Sequence, residues 1–535
     1  MDFHLADLFE CVADAVPERT ALVAGDLRLR YDELDARATR FANHLAGAGI
    51  GAGDHVGIHA RNRVEWIEAM LGAYKLRAVP INVNYRYVED ELVHLFGDAD
   101  LSALVFEREF APRIAAVRDR LPMLRHLVAL EDESDEGDAG LAAVEYEAVL
   151  AEASPERKFG PRSGDDRYLI YTGGTTGLPK GTVWRHRDIF VASMGGGNLG
   201  GPPIERPEAI LDKAREGGPT YLVTAPLMHA GGQWVCFITL FWGAKLVLYT
   251  GQHFDAHELW RLVERERVQA MAIIGDAMAR PLVEALAEPG AAYDLSSVAL
   301  VGSGGAILSK EVKQALRSHL PPNAFVMDAY GASETGHVGT VYDAGGPAAG
   351  PRFTLTDKSA VFDDEGRRIE PGSERIGRIA HRGAIPLGYW KDEARTRATF
   401  LELEGERWVV PGDFARVEAD GSVTLLGRGS VCINSGGEKV FPEEVEAAVK
   451  SHPEVFDAVV VGVPDERFGE RVAAVVKPRP GRTPELASVS EHCRARVAGY
   501  KVPRSLVLVD EIPRTPVGKP DYRSAARIAR DAQLS

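Results

Sequence analysis

Short β-rich runs alternate with helical stretches through roughly the first 340 of the 535 residues. The β-rich runs include 55–59, 103–106, 168–172 and 298–301, whereas 32–46 has helical spacing, with Asp32 as a capping residue at its start. Strands that are separated by helices pair in parallel, and the helices cover both faces of the sheet. The alternation therefore predicts an α/β fold with parallel sheets.

The pattern changes twice after this region. Residues 345–426 read as short strands broken by turns, which predicts a β-rich subdomain. The last hundred or so residues read as a small α+β domain, in which Pro442, followed by Glu443 and Glu444, marks the start of a helix over 442–450. The chain should thus contain at least two domains.

Composition excludes several classes of function. The formal net charge of −16 opposes general binding to nucleic acid, because a polyanion needs a positive face. The four cysteines have no metal or redox spacing, which indicates the reducing cytoplasm; they are Cys11, Cys236, Cys432 and Cys493. The N-terminus does not read as an export signal. The most apolar stretch, 235–249, is interrupted by a glycine and a lysine and is too short for a transmembrane segment, which predicts a buried strand or helix.

The segment 171–181, Tyr-Thr-Gly-Gly-Thr-Thr-Gly-Leu-Pro-Lys-Gly, follows a predicted strand and has the composition of a phosphate-binding loop. Glycines let backbone N–H groups approach an anion, hydroxyls donate further hydrogen bonds, and a lysine adds charge. The segment is not a Walker A loop, because Lys180 is followed by Gly181 and not by Ser or Thr. The candidate phosphate ligands are Thr172, Gly173, Gly174, Thr175, Thr176 and Lys180.

With this loop and the motifs that follow it in order, the chain resembles the adenylate-forming superfamily of acyl-CoA synthetases, adenylation domains and luciferases. The further motifs are Pro-Leu-Met-His at 226–229, Gly-Ser-Gly-Gly-Ala at 302–306, Tyr-Gly-Ala-Ser-Glu-Thr-Gly at 330–336, Pro-Gly-Asp at 411–413, Leu-Gly-Arg at 426–428, Ser-Gly-Gly-Glu at 435–438 and Pro-Val-Gly-Lys at 516–519. The resemblance covers essentially the whole chain. It implies two doubly wound sheets and a β-rich, barrel-like subdomain in an N-terminal domain over 1–427, and a mobile C-terminal domain over 428–535 with its hinge at 427–430.

By the resemblance, the nucleotide is ATP and its Mg²⁺ is held by Glu334, with Tyr330 as the platform for adenine. Asp413 would accept hydrogen bonds from the ribose hydroxyls, and Arg428 would reach ribose or phosphate oxygens. Taken alone, an Asp after a Gly would be read as a turn residue. The remaining nucleotide-binding candidates are Gly304, Gly305, Ala306, Gly331 and Ser333.

The resemblance also assigns residues to the acid and to coenzyme A. Lys519 would bridge the substrate carboxylate and the α-phosphate during adenylation, and His229 would lie beside both. The candidate acyl-pocket residues are His229, Gly231, Gly232, Trp234 and Ala332. The candidate CoA residues are Ser435, Gly436 and Gly437. Ser430 stands at a hinge position where many relatives have Asp or Lys, so that domain rotation is expected to be tuned differently.

The implied function is an AMP-forming acyl-CoA synthetase. The hinge and the Trp-Arg-His at 184–186 resemble an actinobacterial branch that activates steroid side-chain acids and medium- or long-chain fatty acids. Two alternatives stay open, namely a fatty acyl-AMP ligase that loads a free-standing carrier protein and a non-catalytic nucleotide-binding regulatory protein. The expected partners are a small carboxylic acid, ATP and CoA, with neither nucleic acid nor a transmembrane segment, and homodimers are common in the superfamily.

Overall fold

The computed structural model describes most of the chain. The described residues are 2–134, 136–137, 139–172, 179–198, 200–306, 308–341, 352–428, 431–435, 438–465, 469–497, 499–515 and 519–534.

The first part of the chain, up to residue 172, contains the five strands of a small parallel sheet together with strands that join other sheets. Its helices and strands are α1 (Leu5–Ala15), β1 (Thr20–Ala24), β2 (Leu27–Arg30), α2 (Tyr31–Gly47), β3 (His55–His59), α3 (Val64–Lys75), β4 (Val79–Asn82), α4 (Glu89–Asp98), β5 (Leu101–Glu107), α5 (Ala111–Val117), β6 (His126–Leu130), β7 (Val144–Glu145), α6 (Tyr146–Glu152) and β8 (Arg167–Thr172). The sheet has the order β4-β3-β5-β6-β7, and all its pairs are parallel. Strand β3 is buried along its whole length, as expected where helices cover both faces of a sheet.

The second part forms the parallel core of the main sheet. Its elements are β9 (Lys180–Arg185), α7 (His186–Ser193), α8 (Ile210–Glu216), β10 (Tyr221–Val223), α9 (Ala230–Phe241), β11 (Leu246–Leu248), α10 (Ala256–Glu266), β12 (Ala270–Ile273), α11 (Gly275–Ala287), β13 (Leu300–Gly304), α12 (Lys310–His319), β14 (Phe325–Ala332) and β15 (Gly336–Val341). Strands β1-β11-β10-β12-β13-β14 are parallel neighbours. In such sheets ligands bind at the carboxyl ends of the strands. Three motifs, 226–229, 302–306 and 330–336, lie at those ends, at or just after the last residues of β10, β13 and β14.

The β-rich subdomain continues the main sheet. Its elements are β16 (Arg352–Leu355), β17 (Ser359–Phe362), β18 (Ile376–Arg382), β19 (Gly388–Tyr389), α13 (Glu393–Thr399), β20 (Phe400–Leu403), β21 (Glu406–Val409), β22 (Asp413–Val417) and β23 (Val423–Arg428). Strand β15 is antiparallel to β14 and leads through β16 into this subdomain, so that the described strands of both form one 15-stranded sheet. Strand β19 instead joins the hairpin of β8 and β9.

The last part forms a small α+β sheet of its own. Its elements are β24 (Ile433–Ser435), β25 (Glu438–Val440), α14 (Pro442–Lys450), β26 (Val455–Asp465), β27 (Gly469–Pro478), α15 (Leu486–Arg494), β28 (Ser505–Leu508) and α16 (Tyr522–Leu534). The described strands have the order β25-β24-β27-β26, with β28 parallel to β27. Helix α14 has the bounds that its proline and acidic residues predict.

Some elements differ from the sequence-based expectation. Helix α2 begins at Tyr31, so Asp32 lies in its first turn and does not precede it. The strand predicted over 298–301 begins two residues later, as β13. The apolar stretch 235–249 contains both predicted alternatives, since it covers the end of α9 and all of β11. None of the described helices has the length and apolarity that crossing a membrane requires.

Candidate active site

The predicted phosphate loop connects the two strands of an antiparallel hairpin. Thr172, the last residue of β8, pairs with Lys180, the first residue of β9, and thereby closes the loop. Gly173, Gly174, Thr175 and Thr176 lie outside the described residues, and their role stays a prediction. The hairpin register fixes Lys180 at the edge from which the loop projects.

Lys180 meets a buried carboxylate that comes from a distant part of the chain. Its Nζ lies 3.1 Å from Oε1 of Glu334, which is 6% exposed. Both groups also contact the hydroxyl of Tyr389, which accepts a hydrogen bond from Lys180 (3.1 Å) and donates one to Glu334 (3.0 Å). A cation and an anion held together in this way suit a magnesium–phosphate ligand, because the lysine can bind phosphate oxygens and the carboxylate the metal.

Glu334 is positioned by the tight turn between β14 and β15. The turn is fixed by two hydrogen bonds, from Trp184 Nε1 to the carbonyl of Ser333 (3.0 Å) and from the backbone N–H of Ala332 to Thr335 Oγ1 (3.0 Å). A Cβ at Gly331 would lie 2.2 Å from the carbonyl oxygen of Gly336, so that only glycine fits at 331. The glycine and the threonine of this motif therefore serve the geometry of the turn.

The predicted adenine and ribose residues also meet. The Tyr330 hydroxyl donates to Oδ2 of Asp413 at 2.7 Å, and Asp413 is buried. Asp413 begins strand β22 and does not lie in a turn, which corrects the sequence-based expectation; it pairs with Arg428 at the end of β23. The Arg428 side chain is outside the described part of the structure. Gly304 is paired with Ala329, the residue before Tyr330, which brings the 304–306 segment beside the same strand end.

His229 immediately precedes helix α9. Its Nε2 atom is buried and has no hydrogen-bond partner among the described residues. Burial, and then the positive charges of Lys519 and Arg86, lower the pKa of His229 to about 3, so that the ring is neutral at physiological pH. A neutral imidazole with an unsatisfied nitrogen is suited to donate or accept one hydrogen bond to a ligand.

The effect of Lys519 on His229 links the small domain to this site. The Lys519 side chain is exposed, and its carbonyl accepts a hydrogen bond from the Thr515 N–H at 2.7 Å. The two domains contact each other where the Arg280 guanidinium lies over the ring of Phe456 (5.5 Å to the centroid). The small domain is therefore oriented with the Lys519 charge close enough to His229 to lower its pKa.

Gly231, Gly232, Trp234 and Ala332, the other candidate acyl residues, have different surroundings. A Cβ at Gly231 would meet nothing within 4 Å, whereas one at Gly232 would lie 2.9 Å from the Pro226 carbonyl oxygen. Gly232 is thus required by the packing of α9 on its preceding loop. Trp234 is half-buried on α9 and packs against the main core.

Two asparagines that sequence reasoning missed hold the loops of the site. Asn82 donates to the carbonyls of Tyr171 (2.8 Å) and Met228 (2.6 Å) and accepts from the Tyr171 N–H (2.8 Å). Asn62 accepts from the N–H of Leu227 at 2.7 Å. Both residues lie at or just after the carboxyl end of a parallel strand, a position that could have identified them.

A basic cleft of about 320 Å³ lies near the site, lined by Arg61, Tyr85, Arg86, Glu109, Phe110, Arg113, Gln252 and His253. The guanidinium groups of Arg61 and Arg86 lie 5.6 and 5.4 Å from the centroid of the Tyr85 ring. Arg113 donates to the carbonyls of Tyr85 and Tyr87. Arg86 also lowers the pKa of His229, so the Arg86 end of the cleft faces that histidine.

Most of the predicted CoA and hinge residues lie outside the described part of the chain. Ser435 ends strand β24 and is buried, whereas Gly436, Gly437 and the hinge residue Ser430 lie outside the described residues. No cluster of three or more His, Cys, Asp or Glu side chains suited to a metal occurs in the described part of the chain. Magnesium that arrives with ATP needs only one or two protein carboxylates, because phosphates and water complete its shell. Glu334 fits that requirement.

The chain is similar to known proteins over nearly its whole length. The sequence profile described as AMP-binding enzyme matches residues 9–390, and that of the AMP-binding enzyme C-terminal domain matches residues 444–519. A 3-oxocholest-4-en-26-oate–CoA ligase of Rhodococcus rhodochrous is 47% identical over 533 residues, 98% of this chain and 96% of the relative. A medium/long-chain-fatty-acid–CoA/3-oxocholest-4-en-26-oate–CoA ligase of Mycobacterium tuberculosis is 48% identical over 526 residues, 98% of this chain and 95% of the relative. Among solved structures, the anthranilate CoA ligase AuaEII in complex with anthranoyl-AMP has a TM-score of 0.84 at 25% identity and covers 99% of this chain and 98% of its own.

Proposed function

Because the chain belongs to the AMP-binding enzyme family, we propose that it is an AMP-forming acid–thiol ligase that converts a carboxylic acid into its CoA thioester. The observation that carries the proposal is the contact between Lys180, at the end of the phosphate loop, and the buried Glu334. This pair supplies the charges that a magnesium–ATP complex requires, at the edge of the sheet where Tyr330 and Asp413 also lie.

In the first half-reaction the acid's carboxylate attacks the α-phosphorus of ATP, and pyrophosphate leaves. Negative charge accumulates on the transferred phosphoryl group, and a correctly placed cation stabilises that transition state more than the ground state. We assign this task to Lys519. His229, which is neutral because of its low pKa, would hydrogen bond to the carboxylate or the phosphate through its buried Nε2.

Glu334 would hold Mg²⁺, which supplies charge neutralisation for the β- and γ-phosphates when it is bound. Lys180 would then exchange its contact with Glu334 for a phosphate oxygen. Tyr330 would lie against adenine, beside Gly304, Gly305 and Ala306, while Asp413 would accept hydrogen bonds from the ribose hydroxyls, with its contact to Tyr330 giving way.

In the second half-reaction the CoA thiolate attacks the acyl-adenylate carbonyl and AMP leaves. We propose that the small domain rotates about 427–430 between the two steps, so that Ser435, Gly436 and Gly437 replace Lys519 beside the site. The basic cleft would bind the phosphates of CoA, because it brings together three arginines, and one of them, Arg86, lowers the pKa of His229.

The proposed acid is a medium- or long-chain fatty acid or a steroid side-chain acid. This choice is supported by the activities that the names of two relatives state, at 47% and 48% identity over nearly the whole chain. It is also supported by Gly231, an exposed position where a side chain would meet no atom within 4 Å, so that the surface of α9 beside Trp234 is open to a bulky apolar acyl group. We further propose a cytoplasmic location and a homodimeric state.

The experiment that tests the function follows pyrophosphate release and acyl-CoA formation by mass. The protein would be incubated with ATP, Mg²⁺ and acids that range from acetate through long-chain fatty acids to steroid side-chain acids, with and without CoA. A CoA-dependent thioester from one class of apolar acid is expected. Adenylate without thioester would favour the loading of a carrier protein, and the absence of turnover with every acid would contradict the proposal.

A further inference from the structure

The position of Tyr389 is set by a strand that sequence reasoning did not connect with the nucleotide. Strand β19 pairs with β9, so that Tyr389 lies opposite Thr182 and Gly388 opposite Val183. Lys180 is two residues before Thr182 and therefore projects from the same face of the hairpin. The two residues are 209 positions apart in sequence and become diagonal neighbours only through this pairing.

The backbone of Tyr389 is fixed on both sides. Its N–H donates to Thr396 Oγ1 at 2.9 Å, and the N–H of Trp390 donates to the Gly181 carbonyl at 2.8 Å. Trp390 Nε1 also donates to the Asp98 carbonyl at 3.0 Å. The phenol is 7% exposed and packs edge-on against Phe400. Tyr389 is thus held rigidly beside β9, the strand that follows the predicted phosphate loop.

The hydroxyl of Tyr389 closes a triangle with the two charged groups. It donates its proton to Glu334 Oε1 (3.0 Å) and accepts from Lys180 Nζ (3.1 Å), while the charged pair itself is 3.1 Å apart. The Lys180 ammonium also lies 4.4 Å from the centroid of the Tyr389 ring. Burial, and then the charge of Glu334, raise the pKa of the phenol, which keeps the donated proton on the tyrosine.

From this triangle we infer that Tyr389 is a positioning residue for magnesium–ATP. Its hydroxyl orients Lys180 and Glu334 and remains the partner of each when the nucleotide separates them. The inference rests on the proposed function. The physical reason is that a lysine and a glutamate in a partly buried site attract each other strongly, and an incoming nucleotide must break that contact. A hydroxyl that donates to the carboxylate and accepts from the ammonium lowers the cost of that exchange.

The test is Tyr389→Phe in the full-length protein. This variant keeps the ring, its packing and its contact with the Lys180 ammonium, and removes only the hydroxyl. Binding of ATP in the absence of acid would be measured by calorimetry over a series of Mg²⁺ concentrations. We expect roughly tenfold weaker binding of magnesium–ATP, on the scale of one hydrogen bond to a charged group, and a higher Mg²⁺ concentration for half-maximal binding. Thioester formation from a supplied acyl-adenylate should be unchanged.

The matched control is Tyr146→Phe, which also removes a buried tyrosine hydroxyl that donates to a glutamate, in this case Glu68 at 3.1 Å on helices away from the site. The control should bind magnesium–ATP like the wild type. Wild-type affinity in Tyr389→Phe would overturn the inference, as would an equal loss of both half-reactions together with a lower melting temperature, because a purely structural role predicts that result. If the wild type binds magnesium–ATP and forms the thioester while Tyr389→Phe binds equally well, only the role of Tyr389 is wrong. A wild type that binds no nucleotide would overturn the proposed function and, with it, this role.

Discussion

Replacing Lys519 by alanine separates chemistry from folding. The side chain of Lys519 is exposed, and its carbonyl accepts hydrogen bonds from the N–H (2.7 Å) and the hydroxyl (3.2 Å) of Thr515. Neither hydrogen bond involves the Lys519 side chain. Exposed substitutions of this kind change the free energy of unfolding by no more than about 0.5 kcal/mol. The variant should therefore fold like the wild type.

The expected loss is confined to the first half-reaction. A unit charge about 4 Å from a developing unit charge contributes about 4 kcal/mol at the effective dielectric constant of a partly exposed site. Removal of one group that stabilises developing charge typically slows a reaction about 10²- to 10³-fold. We expect Lys519→Ala to slow acyl-adenylate formation by this factor. The pKa of His229 should rise but remain below its ordinary value, because burial is the larger cause of its shift.

The assay measures each half-reaction separately, as pyrophosphate release from ATP and acid and as thioester formation from a supplied acyl-adenylate. The second rate should stay close to that of the wild type. Arg527→Ala, which removes an exposed cation from helix α16 of the same domain, is the matched control and should leave both rates unchanged. Equal loss of both half-reactions in Lys519→Ala would refute the assignment of Lys519 to the adenylating orientation.

Three further perturbations test other parts of the site. Gly437→Leu places bulk in the proposed path of the pantetheine arm, so pyrophosphate release should persist while thioester formation is blocked; unchanged thioester rates would exclude the role of Gly437. Arg113→Gln should raise KM for CoA about tenfold, as expected for the loss of one charged hydrogen bond, without affecting pyrophosphate release. The control is Arg120→Gln, which removes an exposed arginine that pairs with Asp90 and should change neither KM for CoA nor pyrophosphate release. Equal KM values in the two variants would contradict the binding of CoA in the cleft. Burial lowers the pKa of His186, which stacks on the His4 ring, to about 4, so between pH 6.5 and 4 the unfolded chain binds more protons than the folded one. As the pH falls from 6.5 to 4, His186 should therefore lower the free energy of unfolding, measured with urea, by up to about 3 kcal/mol. His186→Gln should lack this contribution. An identical pH dependence of the free energy of unfolding in the variant would refute the role of His186.

Local sequence signals predicted the elements that depend on local physics. The bounds of helix α14 follow from Pro442 and the two glutamates after it, and those of strand β3 from a short apolar run. These signals act within a few residues, so that they survive in any fold that contains them. The α/β class and the order of the nucleotide motifs could be predicted for the same reason.

The continuity of the main sheet was not predictable in this way. The turn-rich pattern after residue 345 indicates strands, but it does not show that β15 and β16 join them to the parallel core. Helix α16 was also missed, although its apolar positions repeat with helical spacing. Strand pairing across long separations depends on which surfaces must be buried together, and a one-dimensional pattern does not contain that information.

The sequence by itself determined which chemical groups the site contains. It supplied Lys180, Glu334, Asp413, His229 and Lys519, in motifs whose order identifies the family. Only the tertiary structure decided which of them touch. The Tyr389 hydroxyl meets Lys180 and Glu334 because β19 pairs with the loop hairpin. Asn82 joins that hairpin to the His229 loop, although β4, β8 and β10 belong to three different sheets. Hydrogen bonds between residues so far apart are set by packing, which no local pattern encodes.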